Sequence, residues 1–511
     1  MVQALLNPDA YPEHPYKIEL IQTQMSFIFL TGEFCYKIKK PVNLGYLDYT
    51  TLEKRHFFCQ QELRLNRRLS PTVYLDVLPI TQSNGKTQLN GQGIIIEYAV
   101  KMKQLPGGRM MDIMLSQDKV SRDMVEQVAT KMAAFHMQAA TSTEISSYGR
   151  LDMIKANADE NFTQTEKYIG FIIPRHSYNL IKDYTNTYLV KNAKFFQQRV
   201  SESKIRDCHG DLHAAHVCFS DDIYIYDCIE FNDRFRYCDV ASEIAFLAMD
   251  LDRYGRADLS RSFVEAYVSL TKDGGIPRLL NFYKCYRAYV RGKVACFKYD
   301  DPHLRDKSSP VEEARHYFNL AHFYANSSPV LIIMTGIIGS GKTTVAERIS
   351  RALGLPTLSS DIIRKELAEI PYTEHRYENI NEGIYSTEFT RKTYDELYVR
   401  TRGLLTRGQS VILDASFKKK AERIKAYKLA GETGAKFLAV ECTAAENIIK
   451  QRLNKRQQEG SISDGRCEIF DDFKKDFEAV DEIPDGNHLI LDTTNLPQNI
   501  SSLILEAITR L

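Results

Sequence analysis

The sequence predicts two domains, an α+β domain over residues 1–326 and an α/β domain over residues 327–511. The segment Asn-Ser-Ser-Pro at 326–329 separates a helical pattern from a short apolar run, and this change indicates a domain boundary. Beyond it, strand and helix patterns alternate, which is typical of a doubly wound, mostly parallel sheet with helices on both faces. Before it, strand-like segments precede helical ones, which predicts a β-rich lobe followed by a helical lobe.

Composition excludes several classes of protein. The 511 residues carry 67 Lys and Arg against 66 Asp and Glu, so the net charge of +1 gives no global field for nucleic acid or membrane. Ten cysteines are too few for a disulfide scaffold. The sequence contains no apolar run of 18 residues, so no membrane-spanning helix is predicted. The first residues lack a secretory signal pattern. We therefore expect a cytoplasmic protein with free thiols.

The predicted elements follow from local patterns. In the first domain, the strand candidates are SFIFLTG (26–32), FCYKIKK (34–40) and GIIIEYAV (93–100), and helical candidates are 123–140 and 278–299. In the second domain, the strand candidates are VLIIMT (330–335), SVILDAS (410–416), KFLAVECT (436–443) and HLILDTT (488–494). The segment LPTLSS, ending at Ser360, is a further strand candidate.

A phosphate-binding loop is predicted directly after the strand 330–335. Its sequence fits GxxxxGK[ST] and opens a predicted helix, which is the context that the motif requires. Glycines let successive N–H groups turn inward, and the helix N-terminus favours an anion. Lys342 is expected to bridge the β- and γ-phosphates and Thr343 to reach Mg²⁺. The alternative is a glycine-rich turn without ligand. The candidate nucleotide-binding residues are Gly336, Gly339, Ser340, Gly341, Lys342, Thr343 and Thr344.

Two acidic residues lie where a doubly wound sheet places its ligand. Asp414 ends a predicted strand and is a candidate Mg²⁺ partner, the alternative being a helix cap. Asp361 and Arg364 share one face of a first helical turn. Asp361 is a candidate acceptor of a proton from a substrate hydroxyl, and Arg364 a candidate for binding a phosphate or carboxylate of that substrate. The alternative is an N-capping aspartate and a solvated arginine.

Arg452 and Arg456 are spaced i, i+4 on one predicted helix face. Such a pair could close over ATP as a lid and neutralise charge in the transition state. A solvated basic face is the alternative. With these pieces, residues 330–511 resemble the P-loop small-molecule and polynucleotide kinases, including the zeta-toxin-like branch. The resemblance implies that Asp361 is the general base and that both arginines are catalytic.

A second constellation lies at HGDLH (209–213) and IYIYDCIEF (223–231). It resembles the aminoglycoside phosphotransferases of the protein-kinase-like fold and implies that bilobal fold for residues 1–326. The resemblance implies that Asp211 orients or deprotonates the acceptor hydroxyl and that Asp227 binds Mg²⁺. Upstream, Lys37 on a strand would grip phosphates and Glu62 on a helix could pair with it. The segment 94–106 resembles the strand and hinge that meet adenine.

One position departs from the family pattern HGDxHxxN. His216 replaces the asparagine that is a second Mg²⁺ ligand in the family, and imidazole is a poor ligand for a hard cation. Either one metal suffices, or Glu230 or Asn232 substitutes, or this site is weakly catalytic. The only candidate for a loop over the phosphates is TGEF (31–34).

Two other patterns admit a functional and a structural interpretation. A zinc site is conceivable from five neighbouring residues, although no clean ligand spacing supports it; the five are Cys208, His209, His213, His216 and Cys218. In the helix 278–299, Arg287, Arg291 and Lys293 could face an anionic acceptor, or the helix could be packed with its basic tips in solvent.

The whole chain resembles bacterial fusions of an aminoglycoside-phosphotransferase-like domain with a P-loop kinase or ATPase domain. We therefore expect an ATP-dependent (or GTP-dependent) phosphotransferase with two nucleotide sites, Mg²⁺, and a hydroxyl-bearing small molecule or nucleotide as acceptor. One alternative is an N-terminal pseudokinase that senses a ligand and regulates a C-terminal ATPase. Another is a 5′-hydroxyl polynucleotide kinase, which the near-zero net charge disfavours.

Overall fold

A computed structural model of the chain describes residues 1–302, 304–326, 328–371, 382–459, 466–497 and 499–511, with the backbone alone over 456–459. Its residues group into two compact units, which are described separately below. The first comprises Met1–Thr163, Asn186–Tyr254 and Leu259–Arg287, and the second comprises Gln164–Thr185, Gly255–Asp258 and Ala288–Leu511. This grouping describes packing, and the boundary after residue 326 stays a prediction.

The first unit begins with a six-stranded antiparallel sheet. The strand order is β1-β2-β3-β6-β4-β5. The strands are β1 (Glu19–Gln22), β2 (Ser26–Leu30), β3 (Phe34–Lys39), β4 (Tyr74–Ser83), β5 (Lys86–Leu89) and β6 (Ile94–Lys103). Helix α1 (Leu52–Asn66) begins after Thr51, whose side chain accepts a hydrogen bond from the backbone N–H of Lys54 at 3.3 Å. This helix packs against β4 and β6.

A largely helical region follows. Its helices are α2 (Met111–Ser116), α3 (Arg122–Gln138), α4 (Thr143–Ser147), α5 (Leu151–Thr165), α6 (Arg175–Lys191), α7 (Ala193–Ser201), α8 (Asp233–Arg236), α9 (Val240–Arg253), α10 (Ala257–Thr271), α11 (Ile276–Asp300) and α12 (Ser308–Ala325). Two short antiparallel ribbons interrupt them: β7 (Ile205–Asp207) pairs with β10 (Tyr237–Asp239), and β8 (Val217–Phe219) pairs with β9 (Ile223–Ile225). The loops beside these ribbons carry HGDLH and Asp227.

The C-terminal part contains a five-stranded parallel sheet of order β12-β13-β11-β14-β15. The strands are β11 (Val330–Thr335), β12 (Thr357–Ser359), β13 (Val411–Asp414), β14 (Lys436–Thr443) and β15 (His488–Asp492). The helices are α13 (Lys342–Leu353), α14 (Ser360–Leu367), α15 (Thr387–Thr406), α16 (Lys420–Glu432), α17 (Glu446–Glu459), α18 (Phe470–Asp476) and α19 (Ile500–Arg510).

Both faces of this sheet are covered. All six residues of β11 are buried, with Ile332 and Met334 packed among side chains of α13 and α19. Leu331 and Ile333 pack on the other face with residues of α14, α15 and α16. The predicted α+β and α/β classes are therefore confirmed: an antiparallel sheet with a helical region precedes a doubly wound parallel sheet that carries the phosphate loop. Among the described residues, no helix has the length and apolarity needed to cross a bilayer.

Candidate active sites

The phosphate loop joins the carboxyl end of β11 to the first turn of α13. Gly336 has φ 135°, and a Cβ at this position would lie 2.5 Å from the carbonyl oxygen of Cys442, so only glycine fits. Gly341 has φ 88° and caps α13 in the left-handed conformation. The Ser340 hydroxyl is buried and has no hydrogen-bond partner among the described residues. The loop therefore has the backbone form of an anion-binding concavity.

Lys342, Thr343 and Asp414 come together beside this loop. The Lys342 ammonium donates to the carbonyl oxygens of Gly336 and Ile337 at 3.0 and 2.8 Å. The Thr343 hydroxyl hydrogen bonds to Asp414, the last residue of β13. Burial raises the pKa of Asp414, partly offset by that hydrogen bond and by Lys342. A hydroxyl and a carboxylate oxygen side by side fit the ligand preference of Mg²⁺.

The Asp414 carboxylate is predicted to support Mg·ATP binding while it lowers the free energy of unfolding of the protein. Because burial raises its folded pKa, the carboxyl lowers stability increasingly as pH rises above its usual value of 3.8. We expect Asp414→Asn to raise the free energy of unfolding at pH 7 by about 1 kcal/mol, with a smaller gain below pH 4. The same variant should weaken Mg·ATP binding. Urea unfolding against pH checks this, with exposed Asp471→Asn as control; a destabilised Asp414→Asn at pH 7 would contradict it.

Asp361 and Arg364 lie in α14, which follows β12. Asp361 is close enough to Asp414 to contribute to the raised pKa of that carboxyl. Arg364 is only 6% exposed, and its guanidinium donates to the carbonyl oxygen of Ile384 at 2.6 Å and stacks over the Tyr385 ring. The structure thus places Asp361 near Asp414 and turns Arg364 toward the start of α15. Their predicted roles stay predictions.

Arg452 contacts the phosphate loop through a residue that the sequence did not reveal. Its guanidinium donates to the hydroxyl and carbonyl oxygens of Thr493 at 3.0 and 2.5 Å. The Thr493 hydroxyl also lies 2.7 Å from the carbonyl oxygen of Ser340, so it links the end of β15 to the loop. Nothing in the local sequence distinguishes Thr493 from an ordinary turn threonine. The side chain of Arg456 lies outside the described residues.

In the first unit, Lys37 of β3 lies between two carboxylates. Its ammonium is 2.8 Å from Glu62 Oε1 of α1 and 2.5 Å from Asp227 Oδ1. Burial alone would lower the pKa of Lys37, but Asp227 and Glu62 raise it well above its usual value. Asp227 has φ 61°, an uncommon conformation for a non-glycine residue, and its N–H donates to the Tyr74 hydroxyl at 3.1 Å. The structure thus joins the predicted pair of Lys37 and Glu62, and it brings Asp227, the predicted Mg²⁺ ligand, into contact with Lys37.

Lys39 forms a second, fully buried ion pair that the sequence analysis did not single out. Its ammonium is 2.6 Å from Glu62 Oε2 and also contacts Glu230, which accepts a hydrogen bond from the Tyr49 hydroxyl at 2.7 Å. Lys37 and Lys39 are two residues apart on β3, so their side chains lie on the same face of the strand and both reach Glu62. Glu230 is thereby engaged and is not positioned as a ready substitute for the missing asparagine.

The loop that carries Asp211 is held by a buried glutamate. Glu243 of α9 accepts hydrogen bonds from the N–H groups of His209 and Gly210 at 3.0 and 2.5 Å. Its carboxylate also lies 2.8 Å from His136 Nε2. Burial would raise the pKa of Glu243, but the contact with His136 and the loop N–H groups lower it to about 2. Glu243 therefore fixes the backbone that presents Asp211.

Glu243→Gln is predicted to destabilise the first unit strongly. The amide has only one acceptor oxygen for two buried N–H groups, so we expect a loss of about 3 kcal/mol at pH 7. Since the folded pKa is about 2, the ionised carboxylate contributes stability above pH 4.5, and this contribution is lost as pH falls toward 2. In urea unfolding, the difference in free energy of unfolding between variant and wild type should therefore disappear as pH falls through that range. An equal loss in exposed Glu265→Gln would contradict the assignment.

His216 links Asp211 and Asp227. Its Nδ1 lies 2.9 Å from the Asp211 carbonyl oxygen, and its Nε2 lies 3.6 Å from Asp227 Oδ2. Burial, together with repulsion from His213, lowers the pKa of His216 to about 4. Asn232 instead caps α8 and donates to the Tyr46 carbonyl oxygen at 3.2 Å. The donor set beside Asp227 therefore includes a nitrogen and does not fit Mg²⁺ well.

The proposed zinc residues do not form one group among the described side chains. Asp211, His213 and His216 lie together, whereas Cys208 lies with His136 and Glu243. Cys218 belongs to β8 and is buried in an apolar cluster.

Helix α11 supports the packed interpretation of its basic residues. Arg287 is buried against Phe246, Arg291 lies 3.8 Å from Glu313, and Lys293 donates to Gln164. Arg287 also donates to the Gly210 carbonyl oxygen at 3.3 Å, so it helps to hold the loop before Asp211. These contacts give the three residues structural partners.

Comparison with known proteins finds similarity in both the C-terminal segment and the chain as a whole. A family model described as an AAA domain matches residues 331–480. An uncharacterized protein of Mycobacterium tuberculosis is 27% identical over 464 residues, which are 90% of this chain and 90% of that protein. A choline/ethanolamine kinase family protein from Mesorhizobium loti has 12% identity, covers 63% of this chain and 99% of its own, and has a TM-score of 0.39. A gluconokinase from Sinorhizobium meliloti has 20% identity, 36% and 94% coverage, and a TM-score of 0.26.

The phosphate loop lies within the segment that the AAA domain model matches, and the HGDLH constellation lies in the part of the chain that precedes it. The alignment with the mycobacterial relative extends over both parts of the chain.

Proposed function

We propose that this protein is an ATP-dependent phosphotransferase with two nucleotide sites, located in the cytoplasm, that phosphorylates a hydroxyl group of a small molecule or nucleotide. The observation that carries the proposal is the pair of independent phosphate-binding constellations. One is the glycine loop with Lys342, Thr343 and Asp414, and the other is Lys37 with Glu62 and Asp227 beside the Asp211 loop.

In the C-terminal site, the loop N–H groups and Lys342 would bind the β- and γ-phosphates. Thr343 and Asp414 would hold Mg²⁺, which supplies charge neutralisation on the phosphates when bound. The acceptor oxygen attacks the γ-phosphorus, the bond from that phosphorus to the bridging oxygen breaks, and ADP leaves. Asp361 takes the proton of the acceptor hydroxyl, and Arg452 lies near enough to the loop to stabilise the transferred group.

In the N-terminal site, Lys37 would bind phosphate oxygens while Glu62 holds its ammonium in place. Asp211 would accept the proton of a second acceptor hydroxyl, since Glu243 and Arg287 fix its loop. Positioning of this kind supplies most of the rate enhancement in phosphoryl transfer.

The proposal is tested by incubating the purified chain with γ-labelled ATP and fractions of a metabolite extract. We expect label in at least one small-molecule fraction, with ADP formed in equal amount. A 5′-hydroxyl oligonucleotide tests the polynucleotide alternative, and its labelling in preference to metabolites would replace our proposal. ATP hydrolysis without any labelled product would contradict phosphotransfer.

The pseudokinase alternative has one observation in its favour, the contact of His216 with Asp227 where the family has asparagine. It predicts that nucleotide binds the N-terminal site without turnover. With the P-loop silenced by Lys342→Ala, any remaining transfer that Asp211→Asn removes would exclude this alternative.

A further inference from the structure

Helix α17 packs directly against the phosphate loop. Its residues Ile449 and Leu453 are 1% and 0% exposed, and the loop residues Ile337 and Ile338 pack against them. The approach is closest at Gly339, where a Cβ would lie 2.8 Å from Ile449 Cγ2. The first turns of this helix therefore form a fixed wall of the loop, because moving them away would expose an apolar contact.

Arg452 projects from the same face of α17. Residues 449, 452 and 453 are spaced i, i+3 and i+4, so they share one side of the helix. A Cβ at Gly341, the residue that caps α13, would lie 3.5 Å from Arg452 Nη1. The guanidinium thus lies beside the helix N-terminus whose N–H groups would bind phosphate. Arg452 reaches the loop without a closing movement of α17.

Thr493 follows β15, is fully buried and holds this guanidinium in place. Its hydroxyl accepts a hydrogen bond from Arg452 Nη1 at 3.0 Å, and its carbonyl oxygen accepts one from Arg452 Nη2 at 2.5 Å. The hydroxyl has one hydrogen to donate. The Ser340 carbonyl oxygen is the nearer of its two acceptors, at 2.7 Å against 3.1 Å for that of Thr443. One oxygen atom therefore joins Arg452 to the phosphate loop.

An arginine that is fixed in this way favours nucleotide binding. A long arginine side chain loses rotamer freedom when it binds a phosphate, and this loss lowers affinity. A residue that holds the guanidinium beforehand removes part of that loss. Two donors bound to one residue also set the plane of the guanidinium, which a single contact would leave free to rotate. The contacts of Thr493 supply both effects.

We propose that Thr493 is a positioning residue of the C-terminal site: its hydroxyl holds the Arg452 guanidinium at the phosphate loop before a nucleotide binds. The inference rests on the proposed function, because it takes ATP as the ligand of the loop. It replaces the closing lid that the sequence suggested for Arg452 with a charge that is already in place. The phosphates then meet three prearranged groups, namely the loop N–H groups, Lys342 and Arg452.

The test uses the full chain with Lys37→Ala, so that only the C-terminal site binds, titrated calorimetrically with a non-hydrolysable ATP analogue and Mg²⁺. We expect Thr493→Val to raise the dissociation constant about tenfold, and Thr493→Ser, which keeps the hydroxyl, to change it less than about twofold. Thr401→Val is the matched control and should keep the affinity. It removes an equally buried hydroxyl that donates to the Leu397 carbonyl oxygen within α15 at 2.7 Å.

A double-mutant cycle distinguishes positioning of Arg452 from general support of the loop. Arg452→Ala should also raise the dissociation constant about tenfold, and adding Thr493→Val should raise it less than about twofold further. If Thr493 only supported the loop, its full effect would persist without Arg452. Circular dichroism verifies that every variant folds.

Three results would overturn the inference: unchanged affinity in Thr493→Val, an equal loss in Thr493→Ser, or a full Thr493→Val effect in the Arg452→Ala background. These results are separable from failure of the proposed function. The expected affinities in a chain that transfers no phosphate would support the positioning role and contradict the transferase. Phosphate transfer by the C-terminal site with an affinity insensitive to Thr493→Val would support the transferase and refute the positioning role.

Discussion

Lys342→Ala is expected to lower phosphate transfer by the C-terminal site by about 10²–10³-fold. The ammonium lies at the phosphate loop, 3.0 Å from the Gly336 carbonyl oxygen, where it can move onto the β- and γ-phosphates. Removing one preorganised charged donor from a phosphoryl-transfer site costs about 3–4 kcal/mol in the transition state. Initial rates of product formation, measured with an acceptor identified in the extract screen, check the prediction.

A matched control is available in the same unit. Lys428 of α16 is exposed, and Lys428→Ala makes the same change of charge away from the loop. It should retain the wild-type rate. A Lys342→Ala rate within twofold of wild type would contradict the role of the loop.

Asp211→Asn is expected to lower transfer by the N-terminal site by about 10²–10⁴-fold. The amide keeps the shape of the carboxylate but cannot accept the proton of the acceptor hydroxyl. The measurement is made in the Lys342→Ala background, so that the C-terminal site does not mask the loss. Nucleotide affinity should change much less than the rate, because Lys37 and Glu62 remain paired.

Asp123→Asn, an exposed change in α3, is the control for the second prediction. If Asp211→Asn retained the rate of its parent while nucleotide still bound, Asp211 would not be the base. A parallel fall in affinity and rate would instead indicate a binding role.

Much of the C-terminal fold follows directly from sequence. The strands β11 and β14 begin and end at the predicted residues, because each carries an apolar run, 330–334 and 437–440, that is buried within the sheet. The phosphate loop can also be predicted from the sequence, because its glycines, lysine and threonine lie in one short segment. In the first unit, β2, β3 and β6 were predicted, but β4 was not. Apolar residues recur at every second position of β4, at Leu75 and Val77, but Pro79 interrupts this pattern and is unusual inside a strand.

The contacts that hold the sites together were less accessible to sequence reasoning. Lys37 and Glu62 were proposed as a pair from their places on a strand and a helix, and the structure joins them. Lys39, Glu243 and Thr493 act through long-range contacts whose partners are distant in the chain, and single residues of these types carry no local pattern. Such buried polar partners become visible only once the fold brings them together.

The claim on which this account depends is that one chain holds two separate nucleotide sites. Calorimetric titration of the full chain with a non-hydrolysable ATP analogue, with Mg²⁺ supplied, tests it most directly. We expect two equivalents for wild type, one for Lys342→Ala, one for Lys37→Ala and none for the double variant. A single equivalent in wild type that either substitution alone abolishes would contradict two sites.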